Sequence, residues 1–256
     1  MAGMHEDRQR STTFGEDPER YDRARPTYPA ALIDELVSAG VHRVLDVGCG
    51  TGIASRLFAE RGCDVLGVEQ DERMAAVAER RGLFVDVATF EEWDPGGRRF
   101  DLVVSGQAWH WVDPKIGPQK AADVLRPGGR LGVFWNLGVH EPAAKAVLEA
   151  AYDSVVAELK QSYAMGTLLA DDTAEQRAIE ASGRFDPVDV TVFHWERRYT
   201  RDQWLDQLPT HSDHRMLPDD RRAALLDAVG SAIDALGGSI LLRYSTKLIS
   251  GIRMAD

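Results

Sequence analysis

Apolar positions in the first half of the chain come in short runs separated by amphipathic stretches. The runs "VHRVLDV" (41–47), "DVLGVE" (64–69), "LFVDVA" (83–88), "FDLVVSG" (100–106) and "RLGVFWN" (130–136) are nearly continuous in Val, Leu and Phe. That is the pattern of strands covered on both faces. Between them, "GIASRLFAERG" (52–62), "DERMAAVAERRG" (71–82) and "PQKAADVLRPGG" (118–129) read as helices, the last closed by Pro127, Gly128 and Gly129. Ahead of the first strand, "YDRARPTYPAALIDELVSAG" puts Leu32, Ile33, Leu36 and Val37 on one helical face, and Gly40 stops it. Strand–helix alternation predicts a mostly parallel sheet with helices on both faces.

From about residue 140 the rhythm changes. "EPAAKAVLEAAYDSVVAELKQSYA" (141–164) is one long helical pattern, and "GTLLADDTAEQRAIEASG" reads as a loop and a short helix. "PVDVTVFHWERRYT" (187–200) alternates as a strand, "RDQWLDQLP" and "PDDRRAALLDAVGSAIDALGG" look helical, and "SILLRYSTKLISGIR" (239–253) is a last strand. The expected fold class is therefore α/β: a doubly wound, mostly parallel, seven-stranded sheet with a helical cap insertion. The expected divisions are an N-terminal lid segment over 1–27, a ligand-binding core over 28–140, a cap insertion over 141–185, and strands and helices over 186–256 that complete the sheet and a substrate pocket. The 141–164 helix fits a cap over a pocket or a face pairing with a second copy of the chain.

Composition narrows the partners. With 30 basic and 41 acidic residues the net charge is −11. A surface that acidic repels phosphate backbones, and the pairs Arg80-Arg81, Arg98-Arg99 and Arg197-Arg198 are isolated, so no nucleic-acid partner is expected. No apolar run approaches the ~18 residues of a membrane span. The opening "MAGMHEDRQRSTTFGEDPER" has no apolar core, so no secretory signal and no membrane partner are expected. Two cysteines, Cys49 and Cys63, give no disulfide framework and fit a reducing cytoplasm.

The candidate chemistry begins at "RVLDVGCGTGI" (43–53). A Gly-rich turn between a parallel strand and a helix lets a ligand approach bare backbone and unpaired helix N–H groups. A dinucleotide fingerprint would place its third glycine at position 53; here that position is Ile53, and the third glycine is Gly52. The next strand ends in Glu69, about 20 residues on, where an acidic side chain can accept both ribose hydroxyls of an adenosine.

"VLDVGCGTG", "GVEQD" and "FDLVVSGQAWHWVDP…ADVLRPGGRLGVFWN" resemble the class I S-adenosylmethionine (SAM)-dependent methyltransferases, most closely a small-molecule branch that includes trans-aconitate methyltransferase-like enzymes. The resemblance covers roughly residues 14–136 and implies a Rossmann-like core binding S-adenosyl-L-methionine. It gives Asp46, Gly48, Cys49 and Gly50 to the methionine part, Gly52 to the turn into the helix, Glu69 to the ribose, Gln70 to the side of the adenine, Thr89 and Phe90 to its ring, and Ser105 and Gln107 to the sulfonium side. "YDRARPTYP" also resembles this branch, so Tyr21, Arg25 and Tyr28 would close over the ligand, Arg25 as a partner of the cofactor carboxylate. Relatives often carry an acidic residue just after the third strand. Here Asp86 comes early, which leaves the adenine contact between Asp86 and the Thr89 backbone.

Methyl transfer needs a nucleophile aligned with the methyl–sulfur bond, and a base only if that nucleophile arrives protonated. His110 in "QAWHWVDP" is the candidate base; the alternative is a structural histidine under the loop. Tyr28, Trp109, Trp111, Trp135, Asn136 and His211 are candidate substrate contacts, the tryptophans suggesting a flat or apolar acceptor. His211 and His214 could reach the substrate, although isolated histidines are more often surface groups; His5, His42, His140 and His194 receive no role. No metal is expected: there is no H-E-x-x-H or Cys/His cluster, and Asp113 and Asn136 lack a third ligand. The leading expectation is methyl transfer to an oxygen, carboxylate or phenol, of a small molecule. The rivals are an N- or S-methyltransferase, a nicotinamide-dependent oxidoreductase, and a SAM-binding module without catalysis.

Overall fold

A computed structural model describes residues 13–37, 40–159 and 174–255. One seven-stranded sheet runs through it in the order β3-β2-β1-β4-β5-β7-β6. Its strands are β1 (Arg43–Val47), β2 (Asp64–Glu69), β3 (Phe84–Val87), β4 (Phe100–Gly106), β5 (Leu125–His140), β6 (Asp189–Thr200) and β7 (Ser239–Ile252). The first five are parallel, and β7 lies antiparallel between β5 and β6. The order reverses at β1, whose next neighbour is β4, and the carboxyl ends around such a switch point form a ligand crevice.

The helices are α1 (Pro18–Ala24), α2 (Ala30–Leu36), α3 (Ile53–Ala59), α4 (Glu72–Arg80), α5 (Gly117–Val124), α6 (Pro142–Val156), α7 (Ala174–Ala181), α8 (Arg201–Gln207), α9 (Ser212–Arg215) and α10 (Asp219–Ala235). The expected single N-terminal helix is two, because Pro26 and Pro29 push the residues before them out of the helical region; Arg25 sits at ψ 147°. The expected helix over 118–129 ends at Val124. From Leu125 the chain is already strand, and Pro127-Gly128-Gly129 forms an irregularity between the pairs Phe100–Leu125 and Leu102–Arg130. Part of the expected 141–164 helix and the loop after it fall outside the described residues.

Apolar side chains bury on both sheet faces. One cluster holds Leu32, Ile33, Leu36, Phe58 and Phe134; the other holds Phe90, Trp93, Trp109, Val133 and Ile249. Leu36 is fully buried, so truncating it to Ala removes about 2–5 kcal/mol. A third cluster joins Leu148, Tyr152 and Val156 on α6 with Leu225, Val229 and Ile233 on α10, and with Tyr199, Leu242 and Tyr244 on the outer strands. The cap is therefore α6, α8 and α10 packed on the far ends of β5, β6 and β7. It is wider than the expected 141–185 insertion, and α7 does not belong to it: Ile179 packs in the central core.

The start of the chain ties these parts together. Asp17 caps α1 by accepting from the Arg20 N–H, and Pro18 is preset for the first turn. From α1, Arg20 and Arg23 reach Asp206 on α8, while the buried Asp22 carboxylate meets Arg56 on α3 at 2.8 Å and Arg81 at 3.1 Å. Residues 18–24 of the expected lid are thus ordered helix bridging core and cap. No helix of the described residues is long and apolar enough to cross a membrane.

Candidate functional site

The loop after β1 is shaped by its glycines. Gly48 has φ +67°, and a Cβ there would stand 2.6 Å from the Ala108 Cβ. Gly52 opens α3 at φ +83°, where a Cβ would stand 2.2 Å from Leu83. Larger residues would pay both the left-handed backbone and the clash. The loop is anchored to β2: the Gly48 and Cys49 N–H groups donate to the Val68 carbonyl. Glu69 then accepts from the Gly50 N–H at one oxygen and from the Asp71 N–H at the other, each at 2.9 Å. Burial raises the Glu69 pKa, and those two donors oppose the shift.

Asp46 is the penultimate residue of β1, beneath the loop, and is 1% exposed. Its Oδ2 accepts from the Ser55 hydroxyl at 2.6 Å, while Oδ1 has no partner, and neither has the buried Thr51 hydroxyl. Burial pushes the Asp46 pKa up to about 7, against the Ser55 hydrogen bond and with help from the Glu69 charge. Both residues line a small open cleft, together with Gly48, Cys49 and Gly50, Gly106 at the end of β4, and Tyr21 and Tyr28 from the N-terminal segment. A buried carboxylate with a spare lone pair beside bare backbone suits a ligand that brings a cationic donor.

Residues 44–129 match a family model described as a methyltransferase domain. Over 132 residues the chain is 45% identical to an uncharacterized methyltransferase of Mycobacterium tuberculosis, covering 50% of this chain and 54% of that protein. It thus spans about half the length of its mycobacterial relatives. Over 174 residues it is 30% identical to a malonyl-[acyl-carrier protein] O-methyltransferase of Enterobacter lignolyticus, covering 60% of this chain and 69% of that protein. The chain belongs to the class I SAM-dependent methyltransferases. The fold agrees. A provisionally assigned type II methyltransferase from Anaeromyxobacter dehalogenans matches with TM-score 0.66 and 24% identity over 91% of this chain and 99% of that one. Phosphoethanolamine N-methyltransferase 2 of Haemonchus contortus, solved with SAM, matches with TM-score 0.54 and 16% identity over 100% of this chain and 61% of that one.

Not every residue that the methyltransferase resemblance nominates reaches the cleft. Ser105 is fully buried, and its hydroxyl donates to the Val47 carbonyl at 2.8 Å, tying β4 to β1 instead of facing a sulfonium. Phe90 is 4% exposed, stacked on Trp93 and tilted against Trp109 in the core, with Lys120 over its ring. Trp109 is core as well and forms no substrate wall. Asp86 is spent on the Trp93 indole and on Arg98, both at 2.7 Å, and the Thr89 hydroxyl donates to Glu92. Gln70 is half-buried after Glu69. Gln107 has φ +59°, the only positive φ outside glycine among the described residues; its N–H donates to the Phe134 carbonyl and its Nε2 to the Asn136 carbonyl. Such a backbone costs ~1–3 kcal/mol and is typical of functional turns.

On the acceptor side, Asn136 is buried and structural: it donates to the Thr27 carbonyl at 2.9 Å and accepts from Thr246 at 2.7 Å. Tyr28 stands edge-on against Phe134, its hydroxyl held neutral by burial. His110 lies on the short turn Trp109–Trp111, 4.9 Å from the Trp111 ring. The Trp135 indole N–H donates to His110 Nδ1 at 3.1 Å. An indole can only donate, so a neutral His110 carries its proton on Nε2. As placed it is a donor, and the lone pair a general base would use is taken.

The cap holds what the sequence hid. His214 is 4% exposed, not a surface group: Nε2 meets the Tyr152 hydroxyl at 2.6 Å, and Nδ1 meets Asp213 at 2.8 Å. The Asp213 pKa falls well below the carboxylate range, held down by His214 against burial. His211 is half-buried 5.6 Å from the His214 ring; burial first and the Arg25 charge second keep it neutral. His140 packs edge-on to Trp204, and burial lowers its pKa to about 4. No three metal-ligating side chains gather among the described residues.

Proposed function

We propose that this chain transfers the methyl group of SAM to an oxygen of a small-molecule acceptor. The observation that carries the reading is the unpartnered, buried Asp46 oxygen facing the glycine loop. A buried carboxylate raised to a pKa of about 7 fits the amino group of a methionine moiety, which would return it to the ionised form. Glu69 keeps lone pairs for ribose hydroxyls after accepting from Gly50 and Asp71. Tyr21, Tyr28 and the backbone of Cys49 and Gly50 would enclose the rest of the cofactor, and the family resemblance would set Gln70 and Thr89 near its adenine.

Bound there, SAM supplies an activated methyl with its own leaving group. The protein then aligns the acceptor, which is worth roughly 7–11 kcal/mol, and excludes water. No base is at hand in His110, because its Nδ1 already accepts from Trp135. This favours an acceptor oxygen that is already ionised at neutral pH, a carboxylate over a phenol. The 30% identical malonyl-[acyl-carrier protein] O-methyltransferase is consistent with an oxygen acceptor.

Two measurements test this. Calorimetry with S-adenosylhomocysteine (SAH) should show binding where NADH shows none. Methyl-labelled SAM with a panel of acids, phenols, amines and thiols should then give a product whose label is released as methanol by mild alkali, the mark of a methyl ester. Label that survives alkali would replace the carboxylate with a phenol, amine or thiol.

A further inference from the structure

We propose that Arg25 anchors an anionic group of the acceptor, so that the acceptor carries a carboxylate besides the oxygen that is methylated. This rests on the methyltransferase reading above. Arg25 sits in the extended link after α1 with its guanidinium 5.0 Å from the centre of the Tyr21 ring. One Nη2 hydrogen goes to the Thr210 carbonyl at 2.7 Å, while the buried Nε–H has no partner. Five other arginines that pack on or beside the N-terminal segment meet carboxylates: Arg20 and Arg23 meet Asp206, Arg56 and Arg81 meet Asp22, and Arg215 meets Glu16. Arg25 forms no ion pair with a carboxylate among the described residues.

Nothing nearby supplies the missing charge. Tyr28, Tyr199 and Tyr244 lie close enough to feel Arg25, and burial holds all three hydroxyls neutral. His211 is neutral too. Asp213 is the one carboxylate in the segment, and it is committed to the His214 ring and backbone N–H, both at 2.8 Å. Arg25 is half-buried, but its Nε–H is shut off from water with no partner, which is costly until an anion arrives, and its fork matches a carboxylate.

The position of the group favours the acceptor's anion. Tyr21 and Tyr28 line the cleft at the glycine loop, while Arg25 turns to Thr210 and His211 in the segment between α8 and α9. The sequence expectation gave Arg25 to the cofactor carboxylate; its surroundings suit the acceptor. A carboxylate paired with Arg25 is a weakened nucleophile, so the reacting oxygen is a different one. The Asp213–His214–Tyr152 chain fixes the segment that carries Thr210 and His211, which keeps the anchor in place.

The test compares wild type with Arg25→Gln and Arg25→Lys. SAH affinity is measured by calorimetry. Acceptors are assayed as matched pairs, each acid against its primary amide. Thermal shifts are recorded with benzoate and succinate against benzamide and succinamide, with and without SAH. The expected result is turnover of acceptors bearing a free carboxylate, with Arg25→Gln raising KM about 30-fold or more while kcat and SAH affinity change about threefold or less. Arg25→Lys should recover part of the loss, and the acids should stabilise wild type but not Arg25→Gln. A tenfold loss of SAH affinity in Arg25→Gln with acceptor KM unchanged would return Arg25 to the cofactor and overturn the proposal. Identical responses of wild type and Arg25→Gln to the acids in both assays would overturn it as well. Should wild type fail to bind SAH, the cofactor reading falls, and the shifts without SAH still decide whether Arg25 holds an anion.

Discussion

The floor of the cleft is drawn from a short stretch that begins at Asp46 and is anchored to Glu69, whereas the wall facing it, Tyr21, Tyr28 and Gly106, comes from distant parts of the chain, backed by contacts among residues 25–28, 107–110, 135–136 and 210. The floor works through backbone: left-handed glycines, N–H groups turned to one carboxylate, and a single orphan oxygen. The wall works through side chains that meet across more than a hundred residues, such as Arg25 with Thr210 and Asn136 with Thr27. One loop between a strand and a helix suffices to present an invariant cofactor. An acceptor that differs from enzyme to enzyme is met by parts that can change one at a time.

The largest blow to this division falls on the floor. Gly48→Val places a branched side chain on Ala108 in a backbone region that β-branched residues avoid; SAH affinity by calorimetry should fall about 1,000-fold or below detection. Asp46→Asn removes the charge that meets the ligand cation and should weaken SAH about 100-fold. It should also flatten a pH slope. The Asp46 pKa is raised on folding, so its protonated form is favoured in the native state and ligand-free stability falls as pH rises from about 4 to about 7. Over that window the effect approaches 4 kcal/mol, read as the difference between wild-type and Asp46→Asn urea midpoints; SAH affinity of the wild type should fall as pH drops below about 7.

Smaller effects sharpen the comparison. Asp22→Asn leaves Arg56 and Arg81 without their shared carboxylate, and should lower stability by about 1–3 kcal/mol in chemical unfolding. Trp135→Phe removes the donor to His110 Nδ1. It should leave SAH affinity and the pH profile of kcat unchanged, because an ionised acceptor oxygen needs no base. A profile altered by a few fold would restore His110 as a base. Least of all, Asp206→Asn cuts a half-exposed pair with Arg20 and Arg23 and should cost less than about 1 kcal/mol.

The same contrast governs what could be read from residues alone. β2 and β4 match their expected bounds, because a strand buried on both faces leaves a continuous apolar run. The tight turn at Gly48 and Gly52 and the place of Glu69 at the end of β2 were legible because they follow from spacing along one strand–loop–helix–strand unit, whereas a role for Asp46 came only from the methyltransferase resemblance. Trp109, Phe90 and Asn136 were nominated for ligands, yet tertiary packing claims all three. His214 looked like a surface residue because its partner Tyr152 is 62 residues away. The partnerless Nε of Arg25 is likewise a property of surroundings that no local pattern encodes.

Cys49 adds a chemical consequence. Its sulfur nests against Gly67, where a Cβ would stand 2.5 Å away, and burial beside Asp46 and Glu69 raises its pKa well above that of an ordinary thiol. Little thiolate is present at neutral pH, so alkylating reagents and peroxide should find this cysteine slow to react although it sits in the ligand loop. A loop proposed to hold a reactive sulfonium thus keeps its own sulfur inert.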